Sequence, residues 1–438
     1  MSAQRPEGRP FDAPGRPKRE SSLGEAVAKR PEGRPFDAPG RPKRESSPGP
    51  LVPGSWLGVL GGGQLGRMFC QAAQAMGYRV AVLDPDPDSP AGTIADWHLA
   101  AGYDDADALR AFAERCPAVT TEFENVPAAS LEALAQWSRV APGARQVAVA
   151  QDRLVEKATL RGLGVAVVPY TEVRSVADLD AAPETHFPGI LKLARLGYDG
   201  KGQARVASRE EARAAFAQLG GKPCVLEAFM ADLRLEVSVV VARQADGSMQ
   251  CFPTAHNEHR EGILFHCAVP VAADPAIDAA LAEAQASARR IADGLGYEGV
   301  MCVEFFIDGS GGLRVNEIAP RPHNSGHYTI DACSVSQFEQ QARVLAGLPL
   351  GQPELLAPAV MINILGDQWF DALGQPREPD WAAVLAVPGT RLHLYGKAEP
   401  RRGRKMGHVT CVAADAETVR QRAREALQAL RMEWDRPW

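Results

Sequence analysis

Short apolar runs alternate with amphipathic helical patterns along the chain from about Ser55 onward. The elements predicted for the first part are a strand at 56–60, a helical pattern ending at Met76, a strand at 78–84, a helix at 104–115, a strand at 118–123 and a helix at 128–137. Strands and helices in alternation are typical of a parallel, doubly wound sheet. The pattern therefore predicts an N-terminal α/β domain over residues 55–150.

The strand pattern continues through the middle of the chain and changes after about Gln352. The predicted elements are a helix at 152–163, strands at 189–193, 224–229, 235–243, 299–308 and 313–320, three shorter strands at 360–366, 391–397 and 407–414, and a helix near 416–430. The loop 309–312 is predicted to join two of the longer strands as a hairpin. The sequence thus predicts a larger α+β domain over 151–352 and a small strand-rich domain over 353–438.

The first 54 residues follow neither pattern. The 18 residues at 5–22 recur without change at 30–47, and both copies are rich in Pro, Gly and charged residues. Such a segment buries too little apolar surface to offset the entropy lost on ordering. We therefore predict a disordered leader over 1–54, which is either a basic tether or dispensable. Deleting residues 1–50 is expected to leave turnover unchanged.

Composition and charge narrow the classes of function. The net charge of −6 combines +4 in residues 1–50 with −10 in the remaining 388, and so acidic a body is unsuited to general nucleic-acid binding. The sequence contains no apolar run long enough for a membrane helix and no secretory signal. Eight cysteines without a C-x-x-C pair argue against a disulfide framework or a structural zinc site. We therefore predict a cytoplasmic location.

The glycine-rich stretch 61–66 fits G-x-G-x-x-G between a predicted strand and a predicted helix. Backbone N–H groups at such a helix start can hold an anion. Asp84 closes the next strand, where a dinucleotide site places an acidic residue. A nicotinamide site, contact with a small anion or substrate, and simple packing of a glycine turn all remain open here.

A second glycine-rich loop points more strongly to nucleotide chemistry. Lys192 lies on a predicted strand, and the loop that follows contains Gly197, Gly200 and Gly202. A strand lysine beside a flexible glycine loop suits the phosphates of a nucleoside triphosphate. The sequence lacks G-x-x-x-x-G-K-[ST], so this loop is not a P-loop.

Two glutamates on the arms of the predicted hairpin are candidate ligands for the Mg²⁺ that accompanies a nucleoside triphosphate. Glu304 and Glu317 each lie in an apolar strand, where a carboxylate is costly unless it is paired or bound to metal. Together with the carboxamide of Asn316 they form an oxygen cluster suited to Mg²⁺. Two solvent-side glutamates on an amphipathic hairpin are the alternative.

The segment between these features offers groups for the rest of a nucleotide. The strand at 225–229 contains Glu227 and Phe229 and is predicted to be an edge whose main-chain groups pair with adenine. Glu236 is placed to accept ribose hydroxyls, and His259 is either a ligand contact or a packing residue.

Together these features resemble the ATP-grasp ligases, and more narrowly the N5-carboxyaminoimidazole ribonucleotide synthetases of purine biosynthesis. The resemblance covers about residues 56–412. The motifs that carry it are GGGQLGRM at 61–68, TEFENVP at 121–127, QDR at 151–153, GYDGKGQ at 197–203, NEHREGIL at 257–264, NEIAPRPHNSGHYT at 316–329, SQFEQ at 336–340 and GRKMGH at 403–408. The resemblance implies an ATP-grasp fold that follows the parallel-sheet (pre-ATP-grasp) domain.

The resemblance also implies an activity. The family phosphorylates bicarbonate with ATP, and the carboxyphosphate, or the CO₂ it releases, carboxylates the exocyclic amine of 5-aminoimidazole ribonucleotide. The implied products besides the carboxylated ribonucleotide are ADP and phosphate. The implied cofactors are ATP and Mg²⁺, for which Mn²⁺ is a substitute, and the implied assembly is a homodimer that binds neither nucleic acid nor membrane.

Site residues follow from the same resemblance, position by position. The implied ATP contacts are Arg153, Lys192, Gly197, Tyr198, Asp199, Gly200, Lys201, Gly202, Gln203, Glu227, Ala228, Phe229, Met230, Glu236, His259, Asn316 and Glu317, and the implied Mg²⁺ ligands are Glu304 and Glu317. The implied catalytic residues are Asp199, Arg321, His323, Lys397 and Arg404, and further substrate contacts are Gln64, Glu122, Asn324 and Lys405.

The residue types suit these roles. Arg321 and Arg404 are always charged and fork-shaped, which favours phosphate and carboxyphosphate. His323 is suited to positioning bicarbonate or relaying a proton. The chain departs from the family at Leu196, where a glycine is usual, and this departure implies a stiffer loop.

Three alternatives are weighed against this function. Another ATP-grasp ligase, such as a formyl-transferring or biotin-carboxylating one, would share the nucleotide site. A nicotinamide-dependent oxidoreductase would use the first glycine loop. A nucleotide-binding regulator would have kept the site and lost turnover, but intact Lys192, Glu304, Glu317 and Arg321 argue against it.

Overall fold

The computed structural model describes residues 49–197, 202–272 and 274–433. Residues 1–48 of the predicted leader lie outside the described residues, as do Tyr198, Asp199, Gly200 and Lys201 of the predicted ATP loop. The sequence predicted that the folded part starts at Ser55, but ordered contacts already begin at Leu51. The Leu51 N–H donates to the Ala346 carbonyl at 2.7 Å, and the Tyr78 hydroxyl donates to the Leu51 carbonyl at 2.8 Å.

Helices and strands alternate in the first third of the chain and become strand-rich later. The strands are β1 (Trp56–Leu60), β2 (Arg79–Leu83), β3 (Trp97–Leu99), β4 (Ala118–Thr121), β5 (Arg139–Val140), β6 (Tyr170–Val173), β7 (Gly189–Leu193), β8 (Gln203–Val206), β9 (Cys224–Ala228), β10 (Leu233–Arg243), β11 (Met249–Cys251), β12 (Ala255–Arg260), β13 (Ile263–Val269), β14 (Gly299–Asp308), β15 (Leu313–Ala319), β16 (Ala359–Leu365), β17 (Thr390–Leu394) and β18 (Lys405–Val412). The α-helices are α1 (Gln64–Ala75), α2 (Ala106–Arg115), α3 (Ala128–Leu134), α4 (Ala144–Ala150), α5 (Arg153–Gly162), α6 (Val176–Asp180), α7 (Arg209–Gln218), α8 (Pro275–Gly294), α9 (Thr329–Ala332), α10 (Gln337–Ala346), α11 (Trp381–Ala386) and α12 (Ala416–Ala429). Short 3₁₀ turns lie at Glu184–His186, Asn324–Gly326 and Gly366–Trp369.

The first sheet is parallel, in the strand order β3-β2-β1-β4-β5. Its central strands are buried on both faces, which is why they read as continuous apolar runs. Leu57 packs with Met68 of α1 and Phe338 of α10, while Leu60 packs with Phe112 of α2 on the opposite face. The prediction of a parallel sheet with helices on both faces is confirmed.

Helix α1 packs closely against the loop before it at Gly66, the third residue of the helix. A Cβ at Gly66 would lie 2.7 Å from the Gly61 carbonyl oxygen, whereas a Cβ at Gly162, at the end of α5, would have no atom within 4 Å. Alanine favours a helix by about 1 kcal/mol over glycine, but overpacking costs about 1–3 kcal/mol. We expect Gly66→Ala to lower the free energy of unfolding and Gly162→Ala to raise it in urea titrations. Equal effects of the two substitutions would contradict this packing.

The small sheet is antiparallel, in the order β6-β9-β7-β8, with α6 and α7 packed against its apolar residues. The prediction that residues 225–229 form a sheet edge is wrong, because β9 pairs with β6 on one side and with β7 on the other. Long-range pairing of this kind leaves no local signal in the sequence.

The large sheet has the order β15-β14-β10-β12-β13-β16-β18-β17, with β11 paired to β10. The predicted hairpin is present as β14 and β15, and Glu304 lies opposite Glu317 in its register. Helix α8 covers one face, and α12 covers the later strands. One sheet thus continues across the predicted domain boundary between residues 352 and 353, since β13 pairs with β16.

In the part of the chain that the structure describes, no helix has the length and apolar content needed to cross a membrane.

Candidate active site

A cavity of about 640 Å³ lies where the three sheets meet. Most of the predicted site residues line it, and they come from segments far apart in the chain. Those that line it are Gln64, Glu122, Arg153, Lys192, Gly197, Gly202, Gln203, Glu236, His259, Glu304, Asn316, Glu317, Arg321, His323, Asn324 and Lys405. Leu196 also lines it and has a φ of 63°, in the left-handed region that favours the glycine usual at this position.

Glu304 and Glu317 face each other across the hairpin at the wall of this cavity. Burial and the neighbouring Glu317 raise the pKa of Glu304, whereas Arg153 and Lys192 lower the pKa of Glu317 against the effect of burial. Arg153 Nη1 lies 2.7 Å from Glu317 Oε2. Asn316 Oδ1 is buried and accepts no hydrogen bond from any described residue. Two carboxylates and an unpaired carboxamide oxygen are the donor set that Mg²⁺ prefers.

Glu227 connects two buried lysines behind the cavity. Its carboxylate oxygens lie 2.8 Å from Lys157 Nζ and 2.7 Å from Lys192 Nζ. Burial alone would raise the pKa of Glu227, but Lys192 and Lys157 lower it to about 2. The carboxylate therefore positions Lys192 and does not line the cavity itself.

The residues that follow Glu227 are placed differently from the sequence prediction of exposed main-chain groups. The N–H groups of Ala228 and Phe229 both donate at 2.9 Å, to the carbonyls of Pro169 and Pro188 respectively. The Met230 carbonyl accepts from the Leu233 N–H at 3.3 Å. The two N–H groups are therefore not available to an adenine edge, because each already donates to a proline carbonyl.

Glu236 and His259 form a hydrogen-bonded pair on adjacent strands. His259 Nδ1 lies 2.5 Å from Glu236 Oε2. Burial alone would lower the pKa of His259, but the hydrogen bond with Glu236 and the charges of Glu304 and Glu236 raise it to about 8. The His259 ring is therefore largely protonated at neutral pH.

This pair predicts a pH-dependent effect of His259→Gln. Because the folded pKa of about 8 exceeds the ordinary value of 6.5, the stabilisation is complete below pH 6.5 and is lost as the pH rises through 8. His259→Gln is expected to lower the free energy of unfolding by up to about 2 kcal/mol more at pH 6 than at pH 9. Urea titrations at both pH values measure this. His256→Gln is the control, since burial lowers the pKa of His256 and the pH dependence should run the opposite way.

Arg321 and His323 lie at the other end of the cavity. Arg321 Nε donates to a carboxylate oxygen of Glu124, and Arg321 lowers the pKa of Glu124 against the effect of burial. His323 Nδ1 lies 2.9 Å from Ser325 Oγ, and its Nε2 lies 3.5 Å from Glu304 Oε1. Burial and the charge of Arg321 lower the pKa of His323 well below its usual value, so the ring is neutral. Its Nδ1 accepts from the Ser325 N–H at 3.3 Å, which leaves the proton on Nε2, and that nitrogen can donate to a ligand.

The first glycine loop already binds a carboxyl group, and that group belongs to the protein itself. The N–H groups of Gly63 and Gly66 donate to the two oxygens of the Glu122 carboxylate at 2.6 and 2.9 Å. Asp84 accepts from the Gly62 N–H and the Tyr103 hydroxyl, both at 2.6 Å. The groups that a dinucleotide would need are therefore occupied, and the hypothesis of a nicotinamide site here is wrong.

Two of the remaining predicted residues, Lys397 and Arg404, make their contacts beside the cavity, and the side chain of a third, Asn324, is paired within the protein. Lys397 Nζ donates to Gln64 Oε1 at 2.8 Å, and Arg404 Nη1 donates to the Glu399 carbonyl at 2.8 Å. Neither Lys397 nor Arg404 lines the cavity wall. Asn324 lines it, but its side-chain amide forms a reciprocal pair with that of Asn363 at 2.9 and 2.7 Å.

Several residues in or behind this site were not predicted from the sequence, and Glu124 and Lys157 are two of them. Glu124 lies within the motif TEFENVP, two positions after Glu122, and its partner Arg321 is distant in sequence. Lys157 lies on the buried stripe of α5 between Leu154 and Leu160. A lysine at an apolar helical position is a signal of a buried partner, and this signal was present in the sequence.

Comparison with known proteins supports the same interpretation of the chain. It matches the models of the ribonucleotide synthetase preATP-grasp domain over 55–151, the ATP-grasp domain over 158–338 and the phosphoribosylaminoimidazole carboxylase C-terminal domain over 359–422. The predicted fold class is confirmed by these three matches.

Relatives that match most of the chain belong to the same family. N5-carboxyaminoimidazole ribonucleotide synthase of Bacillus subtilis is 40% identical over 361 residues, which is 82% of this chain and 92% of the relative. The Staphylococcus aureus synthetase complexed with ADP has a TM-score of 0.79 at 39% identity, covering 87% of this chain and 98% of that one. The Aspergillus clavatus synthase in complex with ADP and 5-aminoimidazole ribonucleotide has a TM-score of 0.77 at 30% identity, covering 86% and 99%. With its motifs, fold and site in agreement, the chain belongs to the N5-carboxyaminoimidazole ribonucleotide synthase family of ATP-grasp enzymes.

Proposed function

We propose that this protein uses ATP and bicarbonate to carboxylate the exocyclic amine of 5-aminoimidazole ribonucleotide in purine biosynthesis, releasing ADP and phosphate. The observation that carries the proposal is one cavity whose wall combines Lys192, the facing carboxylates of Glu304 and Glu317, and the pair Arg321 and His323. The first three residues suit a nucleoside triphosphate, and the last two suit the transfer of its terminal phosphate to a carboxylate.

The ATP end of the cavity is formed by cations and the hairpin. Lys192 and Arg153 would bind phosphate oxygens, and the buried Glu227 keeps Lys192 in place. Glu304, Glu317 and Asn316 Oδ1 would hold Mg²⁺, which when bound neutralises phosphate charge. Glu236, fixed by His259, would accept the ribose hydroxyls.

Phosphoryl transfer is assigned to the end with Arg321 and His323. A bicarbonate oxygen attacks the γ-phosphorus, the bond from that phosphorus to the ADP oxygen breaks, and carboxyphosphate forms. Arg321, held by Glu124, would orient the bicarbonate through its fork of N–H donors. The neutral His323 would position the bicarbonate by donating a hydrogen bond from Nε2–H to one of its oxygens, because its Nδ1 already accepts from the Ser325 N–H. The bicarbonate proton would pass to solvent.

Carboxylation completes the reaction. The amine of the ribonucleotide attacks the carboxyl carbon, phosphate leaves, and the amine loses a proton. Lys405, which lines the cavity, and Lys397 and Arg404, which lie beside it, would bind the anionic ribonucleotide. Gln64 and Glu122 line the cavity from the first domain and would contact the same substrate. Asp199 is proposed to hydrogen-bond the amine.

Release of ADP with each substrate omitted in turn tests this function. The proposal requires ADP release that depends on both bicarbonate and 5-aminoimidazole ribonucleotide and that yields one carboxylated product per ADP. ADP release supported equally by formate, or by biotin in place of the ribonucleotide, would favour another ATP-grasp ligase. No ADP release with all substrates present would favour the non-catalytic regulator.

Location and assembly belong to the same proposal. All eight cysteines are free thiols in the structure, and seven of them are buried, which suits a reducing cytoplasm. A homodimer is proposed from the resemblance to the family. Light scattering coupled to size exclusion tests it, and a mass near 46.9 kDa would contradict it.

A further inference from the structure

A second group of polar side chains meets away from the candidate active site. His393 and His408 face each other across β17 and β18, with their rings nearly parallel and their centroids 4.5 Å apart. Asp331, in α9, places its Oδ2 2.8 Å from His393 Nε2. One ligand atom of each residue lies within 4.8 Å of the others. None of the three residues lines the cavity described above.

We propose that Asp331, His393 and His408 form a binding site for one transition-metal dication of the Zn²⁺ type. Two imidazoles and one carboxylate form a donor set that Zn²⁺ accepts, whereas Mg²⁺ and Ca²⁺ prefer oxygen alone. The site is therefore chemically different from the pair of Glu304 and Glu317. Three protein ligands leave a fourth position for water.

His408 provides an independent observation that points to a ligand. It is completely buried, its Nδ1 lies 2.9 Å from the Tyr395 hydroxyl, and its Nε2 forms no hydrogen bond with any described residue. Buried polar atoms are rarely unpaired, and an ion is one explanation of such an atom. A histidine that binds metal usually has its other ring nitrogen hydrogen-bonded to an oxygen, and the Tyr395 hydroxyl supplies that bond.

To bind a metal, the cluster must contract and the His393 ring must turn, because nitrogen lone pairs lie in the ring planes and the two stacked rings are 15° from parallel. In a tetrahedral site with bonds near 2.1 Å, the ligand atoms are about 3.4 Å apart, so the widest pair must approach by roughly 1–1.5 Å. His408 is fixed by its surroundings, but the His393 side chain is 25% exposed and can adjust. Its exposed side also gives a metal a route from solvent.

A metal here would connect two parts of the chain. Helix α9 follows directly after the segment that carries Glu317, Arg321 and His323, while His393 and His408 belong to the C-terminal strands. A bound ion would join them in the folded state only, so it should raise the melting temperature. This effect is separate from the binding of ATP.

Zinc binding by the full chain in excess Mg²⁺ tests the proposal. We expect one Zn²⁺ per chain by calorimetry, a rise in Tm of about 2–5 °C, and an X-ray absorption spectrum with two imidazole nitrogens at about 2.0 Å. His393→Gln and Asp331→Asn are expected to weaken binding at least about tenfold and to remove the rise in Tm. Both side chains are partly exposed, so these variants should fold.

Two matched variants exclude other sites. Glu304→Gln alters the carboxylates of the cavity, and His98→Gln removes a partly buried histidine of β3 in the first domain. Both should bind Zn²⁺ as tightly as the unchanged chain. Absence of binding, a spectrum with oxygen ligands only, or binding that His393→Gln retains and Glu304→Gln abolishes would overturn the proposal.

Discussion

Glu317→Gln is expected to lower kcat/KM for ATP by about three orders of magnitude while leaving the protein folded. The substitution keeps the shape of the side chain and removes its charge, so a metal–phosphate complex loses one of its two carboxylates. It also leaves Arg153 without the carboxylate that lies 2.7 Å from its Nη1. This one substitution therefore removes both a metal-binding carboxylate and the ion-pair partner of Arg153.

The measurement is ADP release at varied Mg–ATP concentration, with melting temperature as the check on folding. Glu172→Gln is the matched control, because Glu172 lies on β6, outside the cavity, and is nearly half exposed. It should retain the kinetics of the unchanged chain. A Glu317→Gln enzyme with unchanged kcat/KM would remove Glu317 from the ATP site.

Arg321→Lys is expected to lower kcat by a factor of about 10²–10³ with a smaller change in KM for ATP. Lysine keeps the charge but loses the planar fork of donors, which matters only where a carboxylate or phosphate is bound in two places. A loss confined to kcat would indicate an interaction that forms in the transition state. Arg314→Lys, on the exposed part of the same hairpin, is the control and should leave kcat unchanged.

Glu124 sharpens the test of Arg321. Since Glu124 holds the Arg321 guanidinium, Glu124→Gln should reduce kcat in the same direction but less. In the double variant the two losses should not add, because both act on the same guanidinium. Fully additive losses would show that Glu124 acts independently of Arg321.

Much of this site was predictable because its signals are local. The apolar strands at 299–308 and 313–319, joined by a short glycine loop, predict a hairpin, and its register brings Glu304 opposite Glu317. The strand lysine Lys192 and the parallel first sheet were likewise evident from short patterns. Where a residue's role depends on neighbours within about twenty positions, the sequence predicts the arrangement well.

The sequence predictions that were wrong or incomplete involve contacts between residues that lie far apart in the chain. Nothing near residues 224–228 indicates that β6 and β7 flank this strand, so its N–H groups were wrongly expected to be exposed. The glycine loop at 61–66 likewise looks ready for an external anion, and only the fold brings Glu122 to it. The partnership of Glu124 with Arg321 spans 197 residues and was missed for the same reason.

The continuity of the large sheet limits how this chain can be divided. Strand β13 lies before residue 352 and β16 after it, and the two pair directly through largely buried apolar residues. A fragment truncated at 352 would expose β13 as an unprotected edge, and the isolated C-terminal fragment would expose β16. Unprotected apolar edges recruit further strands, so both fragments should aggregate when produced separately. Engineered chimeras should therefore exchange the strands on both sides of this junction together.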